Sequence, residues 1–268
     1  MSPMTPARPL LAALAALALG FTPFGVAAAR AQSSPAEQAR TYQDCMVLAR
    51  DAPADGLETA MSWAARDGGD GARHCAAVAL IELGQYREAA QRLERLAADL
   101  RDPDLRDPEN TALSLGVLVQ AGQAWILAGD TTRAHAVQSA ALDIAPDDVE
   151  LLLDRAITRA TAKNYRAAVD DLTRALDLAP GRPDVLVLRA SAYRTLNALD
   201  LAQADISLAL TRAPDNPDAL LERGMLRRLA GDAAGARGDW LRVIDLAEGT
   251  ATADVARANL ARLDLKAE

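Results

Sequence analysis

The chain has 268 residues, of which 50% are hydrophobic but only 3% aromatic, and its formal net charge is −8. Nucleic acids and anionic membrane surfaces select proteins with a basic face, so this charge balance argues against both as partners. Alanine and leucine supply much of the apolar content, which favours closely packed helices over a sheet.

Residues 1–31 have the layout of an export signal. Arg8 gives a positive start, an apolar run follows over residues 10–21, and Ala29 and Ala31 are the small residues that a signal peptidase reads. We expect cleavage after Ala31 and a periplasmic or secreted mature chain. The signal contains two basic and no acidic residues, so its removal takes the net charge from −8 to −10.

An uncleaved membrane anchor is the alternative interpretation of this segment. Thr22, Pro23 and Gly25 interrupt the apolar stretch, which disfavours a stable membrane span. We expect no membrane insertion after signal cleavage.

Two cysteines, Cys45 and Cys75, are present in the chain. An even number of cysteines in an exported protein predicts a disulfide, here between the first helices of two consecutive hairpins. The alternative is a reactive thiol pair, which the lack of a Cys-x-x-Cys motif disfavours.

The N-terminal half predicts two helical hairpins and an irregular link. Residues 32–69 predict a degenerate repeat or a helical cap, which begins at Ser34 with a proline and a glutamate behind it. Residues 70–100 predict a second hairpin with its turn at Gly84. Residues 101–110 carry a doubled Arg-Asp-Pro element and predict an extended connection, or alternatively a partner-binding loop.

Residues 111–250 contain four copies of one 34-residue pattern. Small residues recur at this spacing on two helices of each copy: Gly122, Ala156, Ala190 and Gly224; Ala134, Ala168, Ala202 and Ala236; Ala141, Ala175 and Ala209, with Val243 in the last. Pro146, Pro180 and Pro214 close the first three copies. A period of this length predicts an all-α solenoid of stacked hairpins, and residues 251–268 predict a helix that caps its end.

The copies resemble the tetratricopeptide repeat over about residues 70–250. The matching features are Gly122 with Trp125, Ala190 with Tyr193, the turns Gly84-Gln85-Tyr86 and Asn164-Tyr165, and Ala168, Ala175 and Pro180. Arg159 and Arg227 depart from the pattern, because an aromatic residue is usual there. The resemblance implies a right-handed superhelix with a concave face built from the first helix of each copy.

That concave face gives the candidate partner-binding residues. By the resemblance they are Gln123, Ile157, Thr161, Val187, Ser191, Arg194, Leu221, Met225 and Arg228, with Val119 and Leu153 beside them. Branched apolar, methionine and arginine side chains suit a groove for an extended peptide or a helix. The alternative is that the apolar members only pack against the neighbouring helix.

Two charged series share the 34-residue spacing: Arg155, Arg189 and Arg223, and Asp171, Asp205 and Asp239. They predict a ladder of ion pairs between neighbouring hairpins. The alternative is a clamp for an acidic peptide terminus.

We find no set of residues that predicts catalysis, a metal site or a cofactor. His74 and His135 are far apart in the array, and neither belongs to a zinc-binding spacing, so we expect both to be exposed or to cap helices. The sequence therefore predicts a non-enzymatic scaffold that binds another envelope protein. The alternatives are a small-ligand receptor or hydrolase-type enzyme with a pocket near residues 101–110, and self-association through the repeat ends.

Overall fold

The computed structural model describes residues 34–101 and 107–264, which form thirteen α-helices and no strand. The predicted cleavage site at Ala31 and the last four residues, 265–268, lie outside the described residues. The helices are α1 (Pro35–Asp51), α2 (Pro53–Ala64), α3 (Gly69–Glu82), α4 (Tyr86–Leu100), α5 (Pro108–Leu127), α6 (Thr131–Ile144), α7 (Val149–Thr161), α8 (Tyr165–Leu178), α9 (Pro183–Thr195), α10 (Leu199–Arg212), α11 (Pro217–Leu229), α12 (Ala233–Leu246) and α13 (Ala251–Asp264).

The helices pair into six antiparallel hairpins, each packed on the next, and α13 packs on the last. We name the odd-numbered helices A helices and the even-numbered ones B helices. Each B helix contacts the A helix of its own hairpin and the A helix of the following one. This nearest-neighbour stacking confirms the all-α repeat fold that the 34-residue period predicts.

The recurring small residues lie where the two helices of a hairpin approach most closely. The twelve positions of the three series are all buried. A β-carbon added to Gly224 would lie 2.4 Å from Nε1 of Trp240, and one added to Gly122 would lie 3.2 Å from Cγ of Gln138. Glycine is required at position 224 because the ring of Trp240 lies opposite it, whereas at position 122 the flexible side chain of Gln138 would have to shift by only a few tenths of an ångström. The other two copies have alanine opposite Leu172 and Ile206.

The turns inside the hairpins use one residue in the left-handed region. Its φ angle is +74° at Gly129, +61° at Lys163, +61° at Asn197 and +85° at Gly231. The sequence predicts glycine or asparagine for this role, but the second copy uses Lys163. The next residue, Asn164, is the N-cap of α8 and accepts from the amide of Ala167.

Replacing Lys163 with glycine is expected to raise the free energy of unfolding by about 0.5–1 kcal/mol. A residue with a β-carbon is strained in the left-handed region and glycine is not. Urea denaturation measures the effect, and Asn197→Gly is the control with a smaller expected gain because asparagine tolerates this region. A loss of stability in the Lys163 variant would contradict the explanation.

The first hairpin is joined to the second by the disulfide between Cys45 on α1 and Cys75 on α3, whose Cα atoms are 6.1 Å apart. Both cysteines are fully buried. Gly71 lies in the first turn of α3. A β-carbon there would lie 2.8 Å from the ring of Trp63, so the packing of that ring explains this glycine.

Residues 102–106 of the predicted extended connection over 101–110 lie outside the described residues, and α5 begins at Pro108. Asp107 caps α5 by accepting from the amide of Glu109, and Pro108 is the first residue of that helix. Helix α5 therefore has 20 residues, against 13 in each of α7, α9 and α11. Its additional N-terminal turns lie beside α3 and α4 of the preceding hairpin.

Helix α13 takes the place of a further A helix. Thr252 at its start donates to Asp218 of α11, one full 34-residue period earlier, at 2.9 Å. Ala253 and Ala256 are buried against the preceding hairpin. The end of the described array is thus covered by a single helix.

Candidate partner-binding face

Eight of the nine candidate residues lie on α7, α9 and α11, and Gln123 lies on α5. Helix α9 touches both α7 and α11, whereas each described B helix makes closer contact with the A helices beside it than with another B helix. Helices α7, α9 and α11 therefore form a continuous surface along one side of the stack. We call its predicted members the helix-A face: Gln123, Ile157, Thr161, Val187, Ser191, Arg194, Leu221, Met225 and Arg228.

Four of these residues are exposed and five are half-buried. The exposed ones are Gln123, Ile157, Thr161 and Arg228, and Ile157 is 42% exposed. Val187, Leu221 and Met225 pack partly against the core, as the alternative interpretation expects for the apolar members. Leu153, which the sequence places beside this face, is buried and belongs to the core, because it faces inward from α7.

Arg194 is committed to a partner within the chain. Its Nε and Nη2 donate to the carboxylate of Glu222 on α11, and the Nη2–Oε2 distance is 3.3 Å. Glu222 is buried, so Arg194 neutralises a carboxylate that has little access to water. Arg194 therefore joins two A helices, and its removal would damage the fold as well as any binding surface.

A small cavity of about 80 Å³ opens between α7, α8 and α9. Ile157 and Ser191 of the helix-A face line it, together with Ala156, Leu172 and Leu188. Its walls are mainly apolar, so it would accept a small apolar group from a bound segment.

A larger cavity of about 430 Å³ lies near the start of the array, among α1, α3, α4 and α5. We call it the N-terminal cavity; it is lined by Tyr42, Asp70, Gly71, His74, Leu96, Leu100, Asn110, Ala112, Leu113, Gly116, Val117 and Gln120. The additional turns of α5 form one wall of this cavity. The sequence did not identify Tyr42, Leu113 and Gln120 as lining residues. The feature that could have indicated them is the additional stretch of chain before the first regular 34-residue copy.

His74 is not an exposed or capping residue, as the sequence suggests, but the centre of a hydrogen-bonded chain across α1, α3 and α5. Its Nε2 lies 2.8 Å from Oε1 of Gln120, and its Nδ1 lies 2.7 Å from the hydroxyl of Tyr42. The amide oxygen can only accept, so Nε2 of His74 donates to it, and Nδ1 forms the second hydrogen bond with the hydroxyl of Tyr42. Burial raises the pKa of Tyr42, partly opposed by the charge of Arg50.

The recurring Arg–Asp pairs lie within hairpins and not between them, which corrects the predicted ladder. Nη2 of Arg155 is 2.7 Å from Oδ1 of Asp171, and the corresponding distance is 2.8 Å for Arg189 with Asp205. In the last copy, Arg223 is 2.6 Å from Oδ1 of Asp239. The A helix and B helix of one hairpin are aligned with a 16-residue offset, and this alignment brings each pair together. The three carboxylates are buried.

The two arginines that replace the usual aromatic residue join the same pairs. Nη1 of Arg159 is 2.7 Å from Oδ2 of Asp171, and Nη1 of Arg227 is 2.8 Å from Oδ2 of Asp239. In the third copy Tyr193 keeps the aromatic position, and Arg189 lies 5.7 Å from its ring centre. Arg155, Arg189 and Arg223, the arginines of the alternative peptide clamp, are thus each paired with a buried carboxylate of their own hairpin.

Within residues 34–101 and 107–264, no group of three or more His, Cys, Asp or Glu side chains is placed to hold a metal ion. None of the helices in these segments combines the length and the apolar character that a membrane crossing requires.

Models of the tetratricopeptide repeat match residues 123–193 and 183–216 of this chain. The stacked hairpins and these matches define a helical-repeat solenoid. Residues 123–216 of the chain are thus tetratricopeptide repeats, which confirms that part of the resemblance over residues 70–250. No curated protein shows a significant sequence match to it.

Solved tetratricopeptide-repeat structures share the fold at low sequence identity. A tetratricopeptide repeat protein from Parabacteroides merdae is 16% identical, with 86% of each chain covered and a TM-score of 0.55. MamA is 15% identical, with 64% of this chain and 94% of its own covered and a TM-score of 0.53. YrrB is 14% identical, with 74% and 96% covered and a TM-score of 0.51.

Proposed function

We propose that this chain is a non-enzymatic periplasmic adaptor, free of cofactors, that binds a peptide or helical segment of another envelope protein along the helix-A face. The observation that carries the proposal is the exposed apolar side chain of Ile157, which lies at the mouth of a small cavity on contacting A helices. Gln123 and Arg228 add polar groups, and in the described part of the chain their side chains form no hydrogen bond or ion pair. An apolar centre with a polar rim is the usual anatomy of a protein-binding surface.

A peptide is the first partner to test. YrrB, whose fold this chain shares, is described as a tetratricopeptide-repeat protein with an unusual peptide-binding site. The chain's acidic charge favours a basic or neutral segment over an acidic one, because like charges oppose association.

The periplasm is proposed from two observations that agree. Residues 1–31 have the layout of an export signal, and a disulfide between buried cysteines suits an oxidising compartment. Mass spectrometry of the protein isolated from the periplasmic fraction should find a mature N-terminus at Gln32. Recovery of the full-length chain from the cytosol would contradict the proposal.

Replacing Ile157 with aspartate is expected to weaken partner capture from envelope extract at least tenfold, because a charge would be placed at the apolar centre of the interface. Leu208→Asp is the matched control, since Leu208 is also 42% exposed but lies on the B helix α10. Quantitative mass spectrometry of the captured proteins measures both variants against the wild type. Equal losses in the two variants, or no loss in either, would contradict binding through the helix-A face.

The N-terminal cavity supports a second candidate function, a receptor for a small ligand near the start of α5. Its volume of about 430 Å³ is within the range of small-molecule sites, and Tyr42, His74 and Gln120 provide oriented polar groups on one wall.

The Gly116→Leu variant tests the receptor. Gly116 lines the N-terminal cavity, and a β-carbon there would meet no atom within 4 Å, so leucine can extend into the space. Native mass spectrometry of the protein isolated from the periplasm should show a bound small molecule in the wild type and none in this variant. A wild-type chain without any bound molecule, or a variant that retains it, would count against the receptor.

A further inference from the structure

We propose that the cavity between α6, α7 and the start of α8 binds a small oxyanion with the chemistry of phosphate, sulfate or a carboxylate. The cavity has a volume of about 210 Å³ and is lined by Thr131, Thr132, His135, Thr158, Arg159 and Asn164. It lies beside the turn of the second copy and shares no residue with the helix-A face, so it does not depend on the proposed function.

Positive charge exceeds negative charge in the ion pairs at this cavity. Arg155 and Arg159 are both paired with the single buried carboxylate of Asp171, at 2.7 Å in each case. Asp170 also acts on Arg159, but it is exposed and forms no ion pair with it in the described part of the chain. One guanidinium charge at the cavity therefore lacks its own carboxylate.

Arg159 also has a hydrogen-bond donor with no acceptor. Its Nη1 donates to the carbonyl of Ala167 at 3.0 Å and to Asp171, but its Nε is buried and has no partner among the described residues. A buried donor without an acceptor is costly, and buried polar groups in proteins are almost always satisfied. An anion in the cavity would supply the missing charge, and because Nε has less than 1 Å² of accessible surface, the Arg159 side chain must turn before Nε can donate to that anion.

The fourth copy shows how the chain balances the same arrangement without an anion. Arg223 and Arg227 likewise share the carboxylate of Asp239, but Asp232 lies 3.8 Å from Nε of Arg227 and provides a second negative charge. Asn164 occupies the position of Asp232 in the second copy.

The hydroxyl and imidazole donors are also specific to this cavity. Two repeat periods later, the three lining positions on α6, Thr131, Thr132 and His135, are occupied by leucine, aspartate and glutamine. Thr158 also lines the cavity, but its hydroxyl donates to the carbonyl of Asp154 at 3.0 Å. The charge excess and the polar walls therefore occur together only in the second copy. This coincidence is what a site for an oxyanion requires, because hydroxyl and guanidinium groups are its usual donors.

The protonation of His135 provides a way to observe binding. Burial lowers the pKa of His135, and Arg159 and Arg155 lower it further, against the opposite effect of Asp171. A bound anion would offset the arginine charges and raise this pKa. By linkage, protonation of His135 must then strengthen anion binding, so affinity rises as the pH falls through the titration of His135.

The test follows the imidazole protons of the mature, oxidised chain by NMR during pH titrations with sodium phosphate, sodium sulfate or sodium acetate at constant ionic strength. The expected result is a saturable rise of the His135 pKa, while His74, which lies in the N-terminal cavity, is unchanged. A larger response to phosphate and sulfate identifies a tetrahedral oxyanion as the ligand, and a larger response to acetate identifies a carboxylate.

Asn164→Asp is the decisive variant. It introduces the carboxylate of the fourth copy, and aspartate is as good an N-cap as asparagine, so the fold is retained. Anion affinity is expected to fall roughly tenfold or more, because a negative charge then competes for Arg159. Ala198→Asp places the same charge at the corresponding position of the third copy and should leave affinity unchanged. An unsaturable response, equal shifts of both histidines, or wild-type affinity in Asn164→Asp would overturn the proposal.

Discussion

Replacing Asp205 with valine is expected to lower the free energy of unfolding by about 2–4 kcal/mol, since it leaves the partly buried guanidinium of Arg189 without a counter-charge. This loss of stability is smaller than the largest losses expected for a buried ion pair, because Arg189 keeps 19% of its side chain exposed and can turn toward water. Urea denaturation of the oxidised chain measures the loss.

Adding Arg189→Ala to Asp205→Val is expected to recover most of that loss. The first copy already has this combination, with Ala121 and Val137 at the two corresponding positions. An apolar pair is therefore compatible with the hairpin, whereas an unpaired charge is not. If the stability loss of the double variant equals the sum of the losses in the two single variants, Arg189 and Asp205 have no coupling energy, which would contradict this prediction.

Removing the disulfide by Cys45→Ala with Cys75→Ala is expected to lower the free energy of unfolding by about 3–4 kcal/mol, because the bond closes a loop of 30 residues and reduces the conformational entropy of the unfolded chain. In a stack where each hairpin contacts only its neighbours, the loss should be local. Hydrogen exchange should show lost protection in α1 to α3 and retained protection in α7 to α12.

A matched control for this prediction is the wild type in reductant, which should lose the same stability and the same exchange protection as the double variant. The double variant itself should be insensitive to reductant. Uniform loss of protection along all described helices would contradict a local role for the disulfide, and so would unchanged stability.

The repeat architecture could be predicted from the sequence because it depends on local periodicity. A small side chain every 34 residues on each helix is required wherever two helices approach closely, and the structure buries these positions in all four copies. The prolines at 146, 180 and 214 and the capping residues act within a few residues of chain, so they too could be located from the sequence alone.

Contacts between helices could not be predicted with the same success. Arg155 precedes Asp171 by 16 residues and Asp171 precedes Arg189 by 18, so spacing alone cannot tell a pair within a hairpin from one between hairpins. Arg194 matched the concave face by position, but its buried partner Glu222 lies on the next A helix. The surroundings of His74 could not be predicted either, because its hydrogen-bond partners are on α1 and α5.

The most direct test of the central claim, that the helix-A face binds another envelope protein, is photo-crosslinking in living cells. A photoreactive residue is placed at Gln123 or Ile157 on A helices, and at Leu208 or Leu241, which are 42% and 54% exposed on B helices. We predict that positions 123 and 157 capture the same protein and that positions 208 and 241 capture none. Equal capture of that protein from the B helices, or no capture from either A helix, would contradict the claim.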